Sequence, residues 1–256
     1  MLRSRLIPFL SIHKDGLVKS INFRDYKYLG DPINAVRIFN GKNVDELAVI
    51  DISATSLNHE PNYKLIESIA RESRMPLIYG GGIKDIDQAK RIISLGVEKV
   101  AISNGIIANL GLISDLKQVI GSQSIVFVID IKKTGLFNSK YSVMTHNASK
   151  KQHFELGELI QKAQELGVGE IVFNSIDNDG SMNGYDLTLL NYVVSKINVP
   201  FTFLGGAGSL DDLKNLVQMK KFIGVGVGSL FLLKGIYRAP LIQYPDKETK
   251  EKILGC

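Results

Sequence analysis

Short apolar runs recur along the chain at Arg5–Ile12, Leu47–Ile52, Pro76–Tyr79, Lys99–Ser103, Ser124–Asp130, Glu170–Ser175, Pro200–Leu204 and Phe222–Val227. Most are apolar at nearly every position, the pattern of parallel strands covered on both faces. Between them, the stretches Asn34–Asn43, Tyr63–Arg74, Ile86–Leu95, Gly111–Ile120, Phe154–Leu166, Asp186–Lys196 and Leu210–Met219 carry apolar residues at helical spacing. Asp31-Pro32 and the segment from Ser209 to Asp212 read as helix starts, and Gly96, Gly121 and Gly167 fall where glycine closes a helix. Strand and helix therefore alternate, which predicts a parallel sheet. Eight such units favour closure into one (β/α)8 TIM barrel, a single domain over residues 1–256.

The two halves resemble each other. Pro76-Leu-Ile-Tyr-Gly-Gly-Gly precedes Pro200-Phe-Thr-Phe-Leu-Gly-Gly by 124 residues, the separation that also relates Glu46 to Glu170. The segments Phe9-Leu-Ser-Ile-His-Lys and Val128-Ile-Asp-Ile-Lys-Lys also correspond. A twofold repeat of half-barrels, four βα units each, is the simplest source of this pattern.

Charge and cysteine content narrow the function classes. A net charge of +5 favours an anionic ligand, but no run of Lys and Arg marks a nucleic-acid surface, so no nucleic-acid partner is expected. The single cysteine, Cys256, permits neither an internal disulfide nor a metal cluster, and fits a cytoplasmic location. The apolar run in residues 1–10 is too short for a signal segment, and no stretch is long enough to cross a membrane. His13, His59, His146 and His153 show no ligand spacing, so no metal or other cofactor is expected; His13, just past the top of the first strand, either touches a substrate or is a solvated loop residue.

Glycine clusters end four of the predicted strands: Gly80-Gly-Gly82, Ser103-Asn-Gly105, Gly205-Gly-Ala-Gly208 and Val225-Gly-Val-Gly-Ser229. Glycine lets backbone N–H groups approach a phosphate closely. Loops after the seventh and eighth strands are the usual phosphate site of such barrels, and the repeat places a second site after the third and fourth. The expected phosphate-binding positions are Gly81, Gly82, Ser103 and Asn104 on one side, with Asp179, Gly180, Gly205, Gly206, Gly228 and Ser229 on the other. Two sites suit a small molecule with two phosphate-like ends. Asp130, at the top of the fifth strand, is the candidate acid or base, because desolvation in the mouth raises a carboxyl pKa. Asp51, Asp177 and Asp179 either bind substrate hydroxyls or brace loops. Arg5, Glu46, Lys99 and Glu170 lie near strand starts, where position alone favours a stabilising salt-bridge ring over the barrel floor.

Across nearly its whole length the chain resembles the cyclase (HisF-like) subunit of imidazole glycerol phosphate synthase. The matching strings are Arg5-Leu-Ile-Pro8, Lys14-Asp-Gly, Gly30-Asp-Pro32, Asp45-Glu-Leu47, Gly80-Gly-Gly-Ile83, Glu98-Lys-Val100, Gly121-Ser-Gln123, Gly169-Glu-Ile171, Asp179-Gly180, Gly184-Tyr-Asp186 and Gly205-Gly-Ala-Gly208. The resemblance implies a barrel that works with a glutaminase (HisH-like) partner docked on its N-terminal face. Ammonia from that partner would pass through the barrel to the mouth. Arg5, Glu46, Lys99 and Glu170 would then be the gate, and Glu98 a docking contact.

The resemblance weakens at the mouth. The family uses two aspartates as acid and base; Asp130 matches one, while the other position holds Ser11. A serine hydroxyl does not titrate near neutral pH. Ser103 and Asn104 also depart from the family's Asn followed by a small residue, Asn174 replaces a Thr, and Leu204 replaces a Ser. A retained gate below a rebuilt pocket resembles the cyclase-like paralogues linked to acetamidino groups on surface-polysaccharide sugars. The expectation is ammonia-dependent amidation of the acetamido group of a nucleotide sugar. Imidazole glycerol phosphate synthase activity in histidine biosynthesis, a non-catalytic module that conducts ammonia or binds phosphosugars, and a phosphosugar isomerase remain open as alternatives.

Overall fold

The computed structural model describes residues 3–135 and 140–255; Cys256 lies outside them. Eight parallel strands close a barrel: β1 (Arg5–His13), β2 (Leu47–Asp51), β3 (Leu77–Gly80), β4 (Lys99–Ile102), β5 (Ile125–Thr134), β6 (Glu170–Ser175), β7 (Phe201–Leu204) and β8 (Gly224–Val227). Each pairs with its chain neighbour among the eight, and β8 pairs with β1 to close the ring, with Arg5 opposite Gly224. The expected strands all appear, shifted by at most a few residues at their ends, and β1 and β5 run longer than expected because each continues into a hairpin.

Helices cover the outside: α1 (Pro32–Asn40), α2 (Tyr63–Glu72), α3 (Ile86–Ser94), α4 (Leu112–Ile120), α5 (Leu156–Leu166), α6 (Leu187–Val194) and α7 (Leu210–Met219). Side-chain caps set the starts of all but α4, which begins after Gly111 without one. Asp31, Asn62, Asp85, Glu155, Asp186 and Ser209 each accept from the N–H three residues on, and Ser209 with Asp212 forms a reciprocal capping box. Phe154 therefore lies outside α5, because Glu155 is its cap. A further helix, α8 (Lys247–Leu254), packs on α7 and had no counterpart in the apolar pattern. Among the described residues no helix is long and apolar enough to cross a membrane.

The core has two separate parts. The larger lies between strands and helices and takes the outward side chains, such as Leu6, Leu47, Phe127 and Ile129, against Ile66, Ile69 and Ile113. The smaller fills the barrel's bore. Ile7, Phe9, Ala48, Ile78, Ala101, Val126, Val172 and Leu204 form it, with Ile50 and Val128 packed against them. Strand alternation produces this division: Arg5, Ile7, Phe9 and Ser11 share the inner face of β1, so one strand contributes to floor, bore and mouth in turn.

Two hairpins were not anticipated. After β1 the chain turns through Lys14 and Asp15 into the antiparallel pair Gly16–Ile21 and Arg24–Gly30. Both turn residues have positive φ, as a tight two-residue hairpin turn requires, and so do Asn22 and Phe23 at the second turn. After β5 the strand Lys140–Thr145 folds back antiparallel, placing Met144 opposite Asp130, and then pairs with Lys150–Lys151. The hairpins follow the first strand of each half-barrel, so the repeat extends to the elements above the mouth.

Candidate active site

At the floor, the four inward charged side chains expected there do meet. Lys99 Nζ lies 2.6 Å from Glu46 and 2.9 Å from Glu170, and Arg5 reaches Glu170 at 2.9 Å and also bonds Glu46. The sequence did not reveal a fifth member, Thr202, whose hydroxyl donates to Glu170 at 2.6 Å. Burial pushes the Glu170 carboxyl up, but Arg5, Lys99 and the Thr202 hydroxyl together outweigh it and hold it below the usual carboxylate range. Glu46 lacks a hydroxyl partner, and burial raises its carboxyl despite the same two cations. Glu98 is exposed at the start of β4, on the same end of the barrel.

At the opposite end the strand tops and hairpins enclose a cavity of about 140 Å³. Ser11 and Asp130 both line it, so the two positions of the family's acid–base pair face one space. Asp130 and Asn174 sit opposite each other on β5 and β6, and Asn174 Nδ2 donates to Asp130 Oδ1 at 2.8 Å. Burial raises the Asp130 carboxyl to about 6, the Asn174 amide works against that, and Asp179 adds to it. A carboxyl that titrates near neutral pH is suited to give and take protons. Asn174 Oδ1 is buried without a partner among the described residues, leaving an acceptor beside Asp130.

The other strand-top aspartates have structural partners. Asp51 accepts from Ser53 N, Ser53 Oγ and Ala54 N, which anchors the loop after β2. Asp177 accepts from Lys133 N at 2.6 Å and ties the loop after β6 to the hairpin of β5. Asp179 lines the cavity, but its carboxylate is bonded at 2.8 Å to Lys19 Nζ, and both side chains are buried. Lys19 comes from the unanticipated hairpin and was missed for that reason. The Asp15-Gly16 pair was the signal for the hairpin.

The expected phosphate positions divide. Gly81, Gly82, Ser103 and Asn104 line the cavity, as do Asp179 and Gly228. Gly81 has a φ of 118°, and a Cβ there would strike the Asp51 carbonyl, so the close approach of this loop depends on glycine. Gly180, Gly205, Gly206 and Ser229 are not on the cavity wall. Gly205 and Gly206 pack against the backbones of Ser175 and Gly184, and Gly180 lies under the Ser20 carbonyl. The first hairpin covers Gly180 and holds Lys19 over Gly228, while the loop after β6 packs against Gly205 and Gly206. Ser229 is buried with its hydroxyl unpaired.

The second hairpin contributes His146 and Asn147 to the cavity wall, and Asn147 Nδ2 donates to the Ile52 carbonyl at the top of β2. His13 stacks on Tyr26 with ring centroids 5.0 Å apart and does not line the cavity, so the reading in which it touches a substrate is corrected. His59 and His153 are exposed.

Charged side chains thus cluster at one end of the barrel, and a carboxyl with a raised pKa stands at the carboxyl ends of the strands, where (β/α)8-barrel enzymes hold their active sites. The family described as "Histidine biosynthesis protein" matches residues 5–237. The chain is 53% identical over 253 residues, 99% of each chain, to a Leptospira borgpetersenii protein named "Putative imidazole glycerol phosphate synthase subunit HisF". It is 47% identical over 246 residues, 96% of this chain and 97% of the other, to a Pseudomonas aeruginosa protein with the same qualified name, as subunit hisF2. A Petrotoga mobilis protein named "Imidazole glycerol phosphate synthase subunit HisF" is 35% identical over 219 residues, 86% of each chain. The chain belongs to the histidine biosynthesis protein family, and within it to the HisF-like cyclase subunits of imidazole glycerol phosphate synthase. It is an enzyme of that family.

Proposed function

We propose that this chain receives ammonia from a glutaminase (HisH-like) partner at its floor and uses it at its mouth to amidate the acetamido group of a nucleotide sugar. The observation that carries this reading is the complete charged ring below an apolar bore, leading to a mouth with one titrating aspartate and a serine at the other family position. The side chains that fill the bore, Ile7, Ala48, Val126 and Val172 among them, offer no partner to an ammonium ion, so what passes between them is the small neutral molecule. The ring of paired charges is the gate, and the exposed Glu98 beside it is a partner contact. Leu204 on the cavity wall gives the pocket an apolar surface for an acetyl methyl group.

The amides of Gly81, Gly82, Asn104 and Gly228 are the phosphate contacts of the mouth. The cavity of about 140 Å³ is smaller than the roughly 300–1,000 Å³ of common ligand sites, and it takes the acetamido end of the sugar.

The test is in vitro turnover with a glutaminase partner, glutamine and nucleotide-activated acetamido sugars. The expected product has its acetyl oxygen replaced by nitrogen, read by mass spectrometry. Efficient conversion of the histidine-pathway ribonucleotide instead would place the chain in histidine biosynthesis.

A further inference from the structure

Attack of ammonia on a carbonyl carbon needs protons moved at two atoms. The nitrogen must lose them as its bonds to carbon form, and the oxygen must gain them to leave as water. Asp130 can serve one atom at a time, and Ser11 titrates with neither.

Most other charged or titratable groups on the cavity wall are engaged by the protein. Asp51 is held by Ser53 and Ala54, Lys19 and Asp179 hold each other, and Lys84 Nζ donates to Asn58. Tyr26 is raised by burial, which its contact with Asn147 only partly offsets.

His146 stands apart from these. It begins the run His146, Asn147 and Ala148, all at positive φ, that turns the second hairpin across the mouth. It is half-buried and shares the cavity wall with Asp130 and Ser11. Its Nδ1 lies 3.0 Å from Thr145 Oγ1, which also accepts from Gln152 Nε2 at 2.8 Å, so the ring is oriented. Its Nε2 makes no hydrogen bond among the described residues. Histidine is the side chain type that changes charge between pH 5 and 8.

We propose that His146 is the second proton-transfer residue of this site, acting with Asp130 in place of the carboxylate missing at position 11. The inference rests on the functional reading above. As the ammonia nitrogen bonds to the carbonyl carbon, the carbonyl pair moves to oxygen. Asp130 takes a proton from the nitrogen, and the His146 imidazolium gives one to the oxygen. The carbon then carries an amino group and a hydroxyl. His146 next takes a second proton from the nitrogen, whose electron pair forms the C=N bond. The C–O bond breaks, and Asp130 gives its proton to the departing oxygen. Water leaves, both residues return to their starting charges, and no oxidant or further reactant enters.

The test uses ammonium chloride as nitrogen source with the carbonyl substrate that wild type converts, nucleotide-activated acetamido sugar and histidine-pathway ribonucleotide both being offered. His146→Gln is expected to lower kcat roughly 10²–10⁴-fold. It should also remove the falling limb of the pH profile of kcat/KM while keeping the rising limb that Asp130 sets. Adding Ser11→Asp to His146→Gln should recover activity, because it restores a titrating group to the opposite wall. Unfolding midpoints of the variants separate a chemical loss from a folding loss. Turnover by His146→Gln within about threefold of wild type, or a loss with both pH limbs intact, would overturn the role given to His146. Wild-type protein that converts neither substrate would instead bring down the functional reading itself.

Discussion

Asp130→Asn lowers ammonia-dependent turnover by roughly 10²–10⁴-fold, the range for loss of a general acid–base group, yet leaves the protein more stable at neutral pH. Both effects have one cause. Burial raises the folded-state carboxyl to about 6, from an ordinary value near 3.8. Between those values the folded protein holds a proton that the unfolded chain has lost, so stability falls as pH rises through that window. The penalty is complete above about pH 6 and amounts to about 3 kcal/mol at most, since each pKa unit corresponds to about 1.4 kcal/mol. Asparagine keeps the shape and carries no charge to desolvate. Thermal unfolding should show Asp130→Asn above wild type at pH 7, with the difference gone near pH 4. An equal turnover rate, or a stability difference independent of pH, would contradict this.

Glu170→Ala destabilises the barrel by about 3–5 kcal/mol, the usual cost of removing one partner from a buried ionic network. Glu170 accepts from Arg5, Lys99 and Thr202 and is almost fully buried. Without it, two cations share Glu46 alone, and the Thr202 hydroxyl loses its acceptor. The folded-state carboxyl of Glu170 is held below its ordinary value, so its contribution is present at neutral pH and fades only as acid protonates it. The catalytic signature is a difference between nitrogen sources. If the ring gates ammonia, Glu170→Ala slows glutamine-driven turnover far more than turnover fed by ammonium in solution. Denaturant unfolding and the ratio of the two rates measure these effects. Equal losses from both sources would leave the ring a purely structural feature.

The barrel was readable because period and content agreed. Runs such as Ile125-Val-Phe-Val-Ile129 are buried on both faces, and caps such as Asp31 and Ser209 bound the helices between them. The floor was readable because Arg5, Glu46, Lys99 and Glu170 are charges at strand starts, and the repeat aligns Glu46 with Glu170. Thr202 escaped notice because a neutral hydroxyl in a strand gives no signal until its neighbour is known. The mouth was the least legible part. The strands Arg24–Gly30 and Lys140–Thr145 are rich in charged and polar residues, so the apolar pattern did not register them. The hairpins they belong to place Lys19, Tyr26, His146 and Asn147 on the cavity wall. A turn signal such as Asp15-Gly16 marks where the chain reverses; which wall the returning strand will cover depends on packing between segments far apart in sequence.

The origin of the transferred nitrogen is the decisive quantity. The complex with its glutaminase partner is supplied with glutamine isotopically labelled in the amide nitrogen, amid excess unlabelled ammonium. Passage through the floor and bore predicts product carrying the label, with little dilution from solution. Product carrying mainly the unlabelled nitrogen would show that ammonia enters from solvent at the mouth and that the barrel does not conduct it.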